Sequence, residues 1–178
     1  MPTEYGVCSL LPALSESVPA HAMSKAVGEG GVMYPIRPVT AVGALVIWQG
    51  KVLLVRRRQP PNAGLWAIPG GAVQLGETLQ SAAERELREE TSITIRAGKP
   101  IYTFEHIDRD SDGQVRYHYV IVDLLGHYLA GEPKANSDAL EARWISAPEL
   151  TTLRVSEDTL RFLRQQFPFA TAANGGAT

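Results

Sequence analysis

Three glutamates close together give the first indication of chemistry: Glu86, Glu89 and Glu90. They stand in a segment whose Ala, Leu, Arg and Glu content favours a helix, on which Glu86 and Glu90 share a face and Glu89 lies at its edge. Like charges at this spacing destabilise a helix by roughly 0.2–0.5 kcal/mol, and the macrodipole disfavours anions at the helix C-terminus. A hard divalent cation would remove this conflict, because Mg²⁺ binds one or two carboxylates together with substrate phosphates.

A charged helix face in water is the alternative interpretation of the same glutamates. In that case Arg and Glu side chains form local pairs, the helix is purely structural and no metal binds. The helix pattern alone favours this alternative, so the neighbouring residues have to decide. The opposite side of the helix is apolar and is predicted to face the core, with Leu79, Ala82, Ala83 and Leu87.

The stretch from Gly71 to Ile93 resembles the Nudix box, the signature of a hydrolase family. Its pattern is Gly, five residues, Glu, seven residues, Arg-Glu-apolar, any residue, Glu-Glu, any residue, Gly-apolar, and eight positions here fit it: Gly71, Glu77, Arg85, Glu86, Leu87, Glu89, Glu90 and Ile93. One position departs, since Ser92 stands where the family has a second Gly. That Gly usually lies just past the helix in a left-handed conformation, which costs a serine on the order of 1 kcal/mol.

The resemblance implies a role for each matching residue. It makes Glu86 and Glu90 the principal ligands of Mg²⁺, with Mn²⁺ as an alternative metal, and Glu89 an additional ligand. The backbone carbonyl of Gly70 would be a further metal contact. Gly71, Glu77 and Arg85 would be structural parts of the box, with Glu77 and Arg85 forming an ion pair that ties the loop to the helix.

The implied reaction is attack of water on a phosphorus atom of a diphosphate bridge, which depends on positioning and on charge neutralisation by the metal. A general base must also contact the water. By resemblance it comes from a loop outside the box, where Asp138 is the first candidate and Glu141 the second; each also fits a plain loop acid. The predicted catalytic set is therefore Glu86, Glu89, Glu90, Arg85 and Asp138.

Substrate contacts are predicted on two further segments. Alternation along a strand sends Arg56 and Arg58 to one face and Arg57 to the other, so Arg56 and Arg58 could clamp phosphates or simply end a strand in water. Trp66, Tyr117, His118 and Tyr119 could stack on or bond to a base, but for each of them core packing or a satisfied surface role is the favoured explanation.

The elements that must position these residues are mostly strands with inserted helices, which predicts an α/β fold. The resemblance makes it a Nudix-type α/β/α sandwich with a mixed sheet and a loop-helix-loop box. Residues 1–36 are predicted to be an irregular leader, 37–167 the Nudix hydrolase domain and 168–178 a flexible tail. Strands are expected at 39–48, 51–55, 93–96, 102–107, 115–125 and 142–145, and helices at 78–90, after Ser146 and from Ser156 onwards.

Composition limits the remaining possibilities for this chain of 178 residues. A net charge of −2 argues against a general nucleic-acid binder, and the single cysteine excludes an intrachain disulfide and a cysteine-based zinc site. No apolar run is long enough for a membrane span, and we expect a cytoplasmic protein. A homodimer is implied by resemblance only.

The substrate class is expected to be a small-molecule nucleotide. The long strand from Val115 to Leu125 after an acidic turn resembles ADP-ribose pyrophosphatase-like members of the family, so ADP-ribose is favoured. The proline that often lies about fifteen residues beyond the box in that subgroup is missing, with His106 to Arg109 in its region. A nucleoside triphosphate pyrophosphohydrolase and a non-catalytic ligand-sensing module therefore stay open as alternatives.

Overall fold

A computed structural model describes residues 25–27 and 33–166 of the chain. The described part contains nine strands and three helices in the order β1 (Lys25–Val27), β2 (Met33–Pro35), β3 (Val39–Trp48), β4 (Lys51–Arg57), β5 (Trp66–Ala67), β6 (Gly70–Ala72), α1 (Leu79–Thr91), β7 (Thr94–Arg109), β8 (Val115–Ala130), β9 (Ala139–Ile145), α2 (Ala147–Leu150) and α3 (Glu157–Gln166).

Seven of these strands form a mixed sheet. Its order is β5-β4-β3-β8-β7, with β6 also paired to β3 and β9 also paired to β4. The pairing of β3 with β8 is parallel, whereas β3 with β4, β3 with β6 and β7 with β8 are antiparallel. The two remaining strands, β1 and β2, pair with each other.

Helices cover both faces of this sheet, because the apolar side chains of its central strands alternate between two cores. On β3, Val42, Ala44 and Val46 pack with Ala83 and Leu87 of α1. Leu45 of the same strand faces the other way, and with Val52 and Leu54 of β4 it packs against Phe162 and Leu163 of α3. This arrangement is the α/β/α sandwich that the resemblance implies.

The helix that carries the glutamates begins where the sequence predicts. Thr78 is its N-cap: the Thr78 side chain accepts a hydrogen bond from the backbone N–H of Ser81 at 3.1 Å, and the Ser81 hydroxyl accepts one from the Thr78 N–H at 3.0 Å. These two bonds satisfy donors that the first turn of a helix otherwise leaves free. Ala82, Ala83 and Leu87 are buried and Leu79 packs against them, so the opposite side of α1 points away from the core.

Some elements differ from the expectation. The separate strands expected at 93–96 and 102–107 are one long strand, β7, whose register to β8 shifts around Pro100 and so hides its continuity in the sequence. The short strands β5 and β6 flank Pro69 within a segment that has no alternating pattern. Two strands, β1 and β2, lie within the segment 1–36 that was expected to be irregular.

The other boundary expectations fall partly outside the described residues. The described residues exclude 1–24, 28–32 and 167–178, and so the whole of the expected tail. Within the described part of the chain, no helix is both long and apolar enough to cross a membrane.

Candidate active site

A cavity of about 340 Å³ opens where the sheet divides. Strands β3 and β4 pair only next to their connecting turn, at Ile47 to Val52 and Trp48 to Lys51. Beyond these pairs β3 continues beside β6 and β8, while β4 continues beside β5 and β9. The cavity is lined from both halves, by the start of β3 at residues 41–43 and by Arg57 at the end of β4.

Two of the three glutamates line this cavity, Glu86 and Glu90. Glu90 is buried, with 5% of its surface exposed, and its Oε2 accepts a hydrogen bond of 3.0 Å from the backbone N–H of Gly70. Burial raises the pKa of Glu90 to about 7, against the opposing effect of the Gly70 N–H and of the charge on Arg57. The neighbouring carboxylates of Glu86 and Asp138 raise this pKa further, so several acidic groups converge on one small volume.

Glu86 reaches the cavity because Gly71 leaves room for it. A Cβ atom on Gly71 would lie only 2.6–2.7 Å from the carboxylate atoms of Glu86. The Glu86 Oε1 also accepts a hydrogen bond of 2.6 Å from Nη1 of Arg85. Gly71 and Arg85 therefore fix the direction of this carboxylate from two sides.

Arg85 forms hydrogen bonds to several parts of the loop-helix-loop. It donates two hydrogen bonds to Glu77, at 2.7 and 2.8 Å, one to the backbone oxygen of Ala72 at 3.1 Å, and one to Glu89 at 3.2 Å. The bidentate guanidinium lowers the pKa of Glu77 to about 2. Glu77 and Arg85 thus form the ion pair that the resemblance implies.

Glu89 occupies a different position from the other two glutamates. Its side chain is 51% exposed and pairs with Arg85, and it does not line the cavity. Glu89 would have to leave Arg85 to bind a metal directly.

The end of α1 is completed by the loop that carries the candidate base. Ser92 keeps the left-handed conformation of the family's glycine, with φ 60° and ψ 10°. The Asn136 side chain donates a hydrogen bond of 2.7 Å to the Ser92 hydroxyl, and its backbone N–H binds the carbonyl of Glu90 at 3.0 Å. Because free carbonyls at a helix end need partners, these bonds dock residues 134–139 onto α1. Asp138 of this loop lines the cavity, whereas Glu141 pairs with Arg56 instead.

The predicted phosphate clamp at Arg56 and Arg58 is not found in the cavity. Arg56 is exposed and forms an ion pair of 2.9 Å with Glu141, and Arg58 donates to the backbone oxygen of Ala139. Arg57, on the other face of β4, lines the cavity instead, with its Nε held by the carbonyl of Pro61 at 3.1 Å. The alternation was right, but the sequence did not show which face of the strand meets the cavity.

Trp66 and Tyr117 also lie outside the cavity. Trp66 is 4% exposed in the core beside α3, with Arg143 over its ring at 4.9 Å. Tyr117 stacks against Tyr119, and it is the half-buried Tyr119 that lines the cavity. Core packing explains Trp66, as the alternative interpretation held.

The end of the cavity away from Asp138 contains residues that sequence reasoning missed: Asp123, His106 and Asp158. Asp123 is 4% exposed, and its pKa is raised to about 7, mainly by burial and further by Asp158. His106 Nδ1 lies 2.9 Å from Asp158 Oδ2. One signal was present: Asp123 interrupts the otherwise apolar run from Val120 to Leu125.

The residues present fit a hard cation in part. Among residues 25–27 and 33–166, no three His, Cys, Asp or Glu side chains converge closely enough to hold a metal ion by themselves. The two cavity glutamates supply oxygen ligands only, and buried Glu90 lacks a side-chain cation partner in direct contact within the described residues. Such a site suits Mg²⁺ or Mn²⁺, which accept one or two carboxylates and complete their shell with water and phosphate oxygens.

Comparison with known proteins identifies the family. The model of the NUDIX domain matches residues 37–166, well over half of the chain. The chain therefore belongs to the Nudix family and is a pyrophosphohydrolase.

Three relatives show how near the match is. The ADP-ribose pyrophosphatase of Methanocaldococcus jannaschii is 33% identical over 125 residues, which cover 70% of this chain and 72% of the relative. The oxidized purine nucleoside triphosphate hydrolase of Danio rerio is 33% identical over 106 residues, 60% of this chain and 65% of the relative. A bifunctional NMN adenylyltransferase/ADP ribose pyrophosphatase from Francisella tularensis, in complex with AMP and a Mn ion, is 28% identical with a TM-score of 0.58, over 73% of this chain and 42% of that one.

Proposed function

We propose that this protein hydrolyses the pyrophosphate bond of a nucleoside diphosphate linked to a second moiety, with ADP-ribose as the favoured substrate and Mg²⁺ or Mn²⁺ as the metal. The observation that carries the proposal is the convergence of Glu86 and Glu90, from one face of α1, on a cavity of about 340 Å³. A cavity of this size lies within the range of small-molecule sites. The M. jannaschii relative bears the name of this activity, and the F. tularensis structure holds AMP and manganese.

Different residues of the cavity have different roles in such a hydrolysis. Glu86 and Glu90 would hold the metal, which when bound would neutralise charge on the diphosphate and activate water for attack. Arg57, at the end of β4, is placed to bind a phosphate oxygen. Gly71 and Arg85 keep the Glu86 carboxylate pointing into the cavity.

Asp138 is the proposed general base. It lines the same cavity as Glu86 and Glu90, on a loop that is tied to the end of α1. Asp138 would accept a proton from the attacking water as the new P–O bond forms and the bridging P–O bond breaks. With ADP-ribose the products are AMP and ribose 5-phosphate.

A nucleoside triphosphate pyrophosphohydrolase is the second candidate, favoured by the equal identity of the D. rerio relative. Both activities use the same carboxylates, so the geometry of α1 does not separate them. The two candidates differ in the part of the cavity that holds the groups beyond the diphosphate.

A hydrolysis screen tests the proposal directly. Purified protein is incubated with Mg²⁺ or Mn²⁺ and ADP-ribose, NADH, diadenosine polyphosphates, nucleotide sugars or the nucleoside triphosphates, and products are resolved by chromatography. Glu90→Gln serves as the blank against contaminating hydrolases. Selective release of AMP from ADP-ribose supports the proposal; pyrophosphate release from triphosphates assigns the second activity. Ligand binding without any turnover would contradict both and support a sensing module.

A further inference from the structure

Asp123 is a buried carboxyl group that the hydrolysis of a diphosphate does not use. It lies on β8 with 4% of its surface exposed and lines the cavity. None of the described residues donates a hydrogen bond to it: its pKa is shifted by burial and by the charge of Asp158 alone. Buried polar groups almost always have a partner, so a carboxyl that faces a cavity without one is equipped to bind a ligand.

The sheet makes room for this carboxyl. Asp123 pairs with Gly43 across the parallel β3–β8 ladder, and a Cβ atom on Gly43 would collide with Oδ1 of Asp123. The same Cβ would also lie 3.1 Å from Cγ2 of Ile68. Any larger residue at 43 would therefore push the Asp123 carboxyl out of its place.

The other titratable groups nearby do not neutralise Asp123. Asp158, at the start of α3, is itself an acid and raises the pKa of Asp123. His106 approaches Asp158 through Nδ1 at 2.9 Å. The neutral acid is therefore accessible to Asp123 near neutral pH, and in that form one oxygen donates a hydrogen bond while the other accepts one.

The position of Asp123 relative to the glutamates matches the two ends of a nucleotide. Gly43 pairs with Asp123 on one side and with Gly70 on the other, and the Gly70 N–H holds Glu90. The Asp123 and Gly70 backbones are thus two strand spacings apart, roughly 10 Å. A ligand whose diphosphate lies at Glu86 and Glu90 would therefore have to extend over roughly this distance to bring its base to Asp123.

The walls around Asp123 suit a flat aromatic ring. Phe104, Ile121 and Ile68 line the same cavity and present apolar surface. A planar base gains by packing between such side chains, provided that its polar edge finds a partner. Asp123 is the unpartnered group that such an edge would meet.

We propose that Asp123 determines base specificity by hydrogen-bonding the edge of adenine, donating to ring N1 and accepting from the exocyclic amino group. The inference rests on the proposed function, which supplies adenine through ADP-ribose. It assigns Asp123 to binding and leaves the reacting phosphorus to the residues of α1 and to Asp138.

Two substitutions with side chains of similar branched shape separate hydrogen bonding from packing. Asp123→Asn keeps one donor and one acceptor, so the KM for ADP-ribose should stay within about threefold of the parent. Asp123→Leu keeps the branched shape of the side chain, with a larger volume, but neither bond, so KM should rise about 10- to 100-fold with a smaller change in kcat. Asp108→Leu is the control, because Asp108 is also a strand aspartate but pairs with Arg116 outside the cavity.

A base-free substrate provides the decisive comparison. The diphosphate that joins two ribose units lacks adenine, so the parent and Asp123→Leu should cleave it equally well. Equal KM values of a folded Asp123→Leu and the parent for ADP-ribose would overturn the inference. An equal loss on the base-free diphosphate would also overturn it, since Asp123 would then act on the fold or on the diphosphate.

The parent protein alone gives a second test, which holds even if Asp123→Leu does not fold. ADP-ribose whose base lacks the amino group should show a KM about 10-fold higher than ADP-ribose itself; an unchanged KM contradicts the inference. If the parent cleaves ATP and not ADP-ribose, the proposed substrate is wrong, and the same comparisons with ATP, amino-free ATP and ribose triphosphate then test Asp123 separately.

Discussion

The two ends of the cavity differ in the hydrogen bonds that their buried acidic groups form. At the box end, formed by Glu86, Glu90 and the residues that hold them, Arg85 binds Glu86 and a backbone N–H binds Glu90. At the Asp123 end, no hydrogen bond from the described residues reaches Asp123, and the nearest charged influence on it is another acid. Burial raises the pKa of Glu90 and of Asp123 alike to about 7, so the two ends differ in hydrogen bonding: the first holds its carboxyl groups in place, whereas the second leaves a buried carboxyl group without a partner among the described residues.

The two ends also differ in how far apart their residues lie along the sequence. The box end comes from one continuous segment, residues 70–90, in which spacing along a single helix decides what converges. The Asp123 end comes from β3, β7, β8 and α3, which only the sheet topology brings together. A local site can keep a fixed chemistry while a composite site changes its specificity by single substitutions.

The largest expected effect comes from removing a charge at the box end. Glu90→Gln should lower kcat at saturating Mg²⁺ by about 10²- to 10³-fold, because charge that stabilises the transition state is lost. The fold should persist, since glutamine still accepts the Gly70 N–H and no longer carries a buried charge. The measurement is kcat together with Tm for the parent and for Glu90→Gln.

Glu89→Gln is the matched control for that experiment. Glu89 is 51% exposed and lies outside the cavity, so its loss should cost about 10-fold in kcat or less. Near-normal turnover by a folded Glu90→Gln protein would contradict the role assigned to the charge of Glu90, and with it the distinction between the two ends.

The second prediction tests whether Gly71 acts through Glu86. Gly71→Ala places a Cβ atom 2.6–2.7 Å from the Glu86 carboxylate, so the carboxylate must move, kcat should fall about 10- to 100-fold and Tm should fall as well. In a Glu86→Ala background the obstacle is gone, and Gly71→Ala should then leave Tm unchanged. An equal fall in Tm in both backgrounds would show that Gly71 is needed for backbone reasons unrelated to Glu86.

The third prediction concerns stability at the Asp123 end. The pKa of Asp123 rises from its ordinary 3.8 to about 7 on folding, so between these values the unfolded chain is ionised while the folded group is neutral. The folded state therefore loses stability as pH rises from about 4 to about 7, and the loss persists at higher pH. The Asp123→Asn protein has no ionisable group at this position and does not lose this stability, so its Tm at pH 8 should exceed that of the parent by about 3–6 °C.

The pH dependence is the check on this explanation. The advantage of Asp123→Asn in the ligand-free protein should shrink as pH falls to about 4, because there Asp123 is neutral in both states. An advantage that is the same at pH 4 and pH 8 would mean that packing, and not ionisation, causes it.

The sequence predicts the box end well because its information is local. Cap, apolar face and glutamate spacing all belong to one helix, and α1 begins directly after its cap at Thr78, the first residue of the helix predicted at 78–90. Ser92, which departs from the family pattern, does not disturb the helix end. It keeps the left-handed conformation, and its hydroxyl accepts a hydrogen bond from Asn136.

The cavity lining was harder to predict because strand alternation gives two faces without saying which one meets a cavity. Arg57 was separated correctly from Arg56 and Arg58, yet only the divergence of β3 and β4 decides that Arg57 faces inward. Tyr119 shares a strand face with Tyr117 but lies further along it, nearer to Asp123. Asp123 itself depends on Gly43, which lies eighty residues away in the chain.

The smallest expected effect concerns the ion pair beneath the box end. Arg85 lowers the pKa of Glu77 from its ordinary 4.5 to about 2, so the pair adds stability that is fully present above about 4.5 and is lost as pH falls towards 2. The Glu77 side chain is 19% exposed, and solvent screening keeps the contribution small. Glu77→Gln should therefore lower Tm by about 2–4 °C at pH 6, and this difference should narrow below pH 4.5.

Glu105→Gln is the control for Glu77→Gln, since Glu105 is exposed on β7 and forms no ion pair within the described residues. Its Tm should follow that of the parent across the same pH range. If Glu77→Gln lowers Tm equally at pH 6 and pH 2.5, the contribution of Glu77 is the uncharged bond to the Gln74 N–H, which glutamine would then have failed to replace. In that case Arg85 would stabilise the box end through Glu86 and the Ala72 carbonyl, and the contrast with the Asp123 end would rest on those two bonds alone.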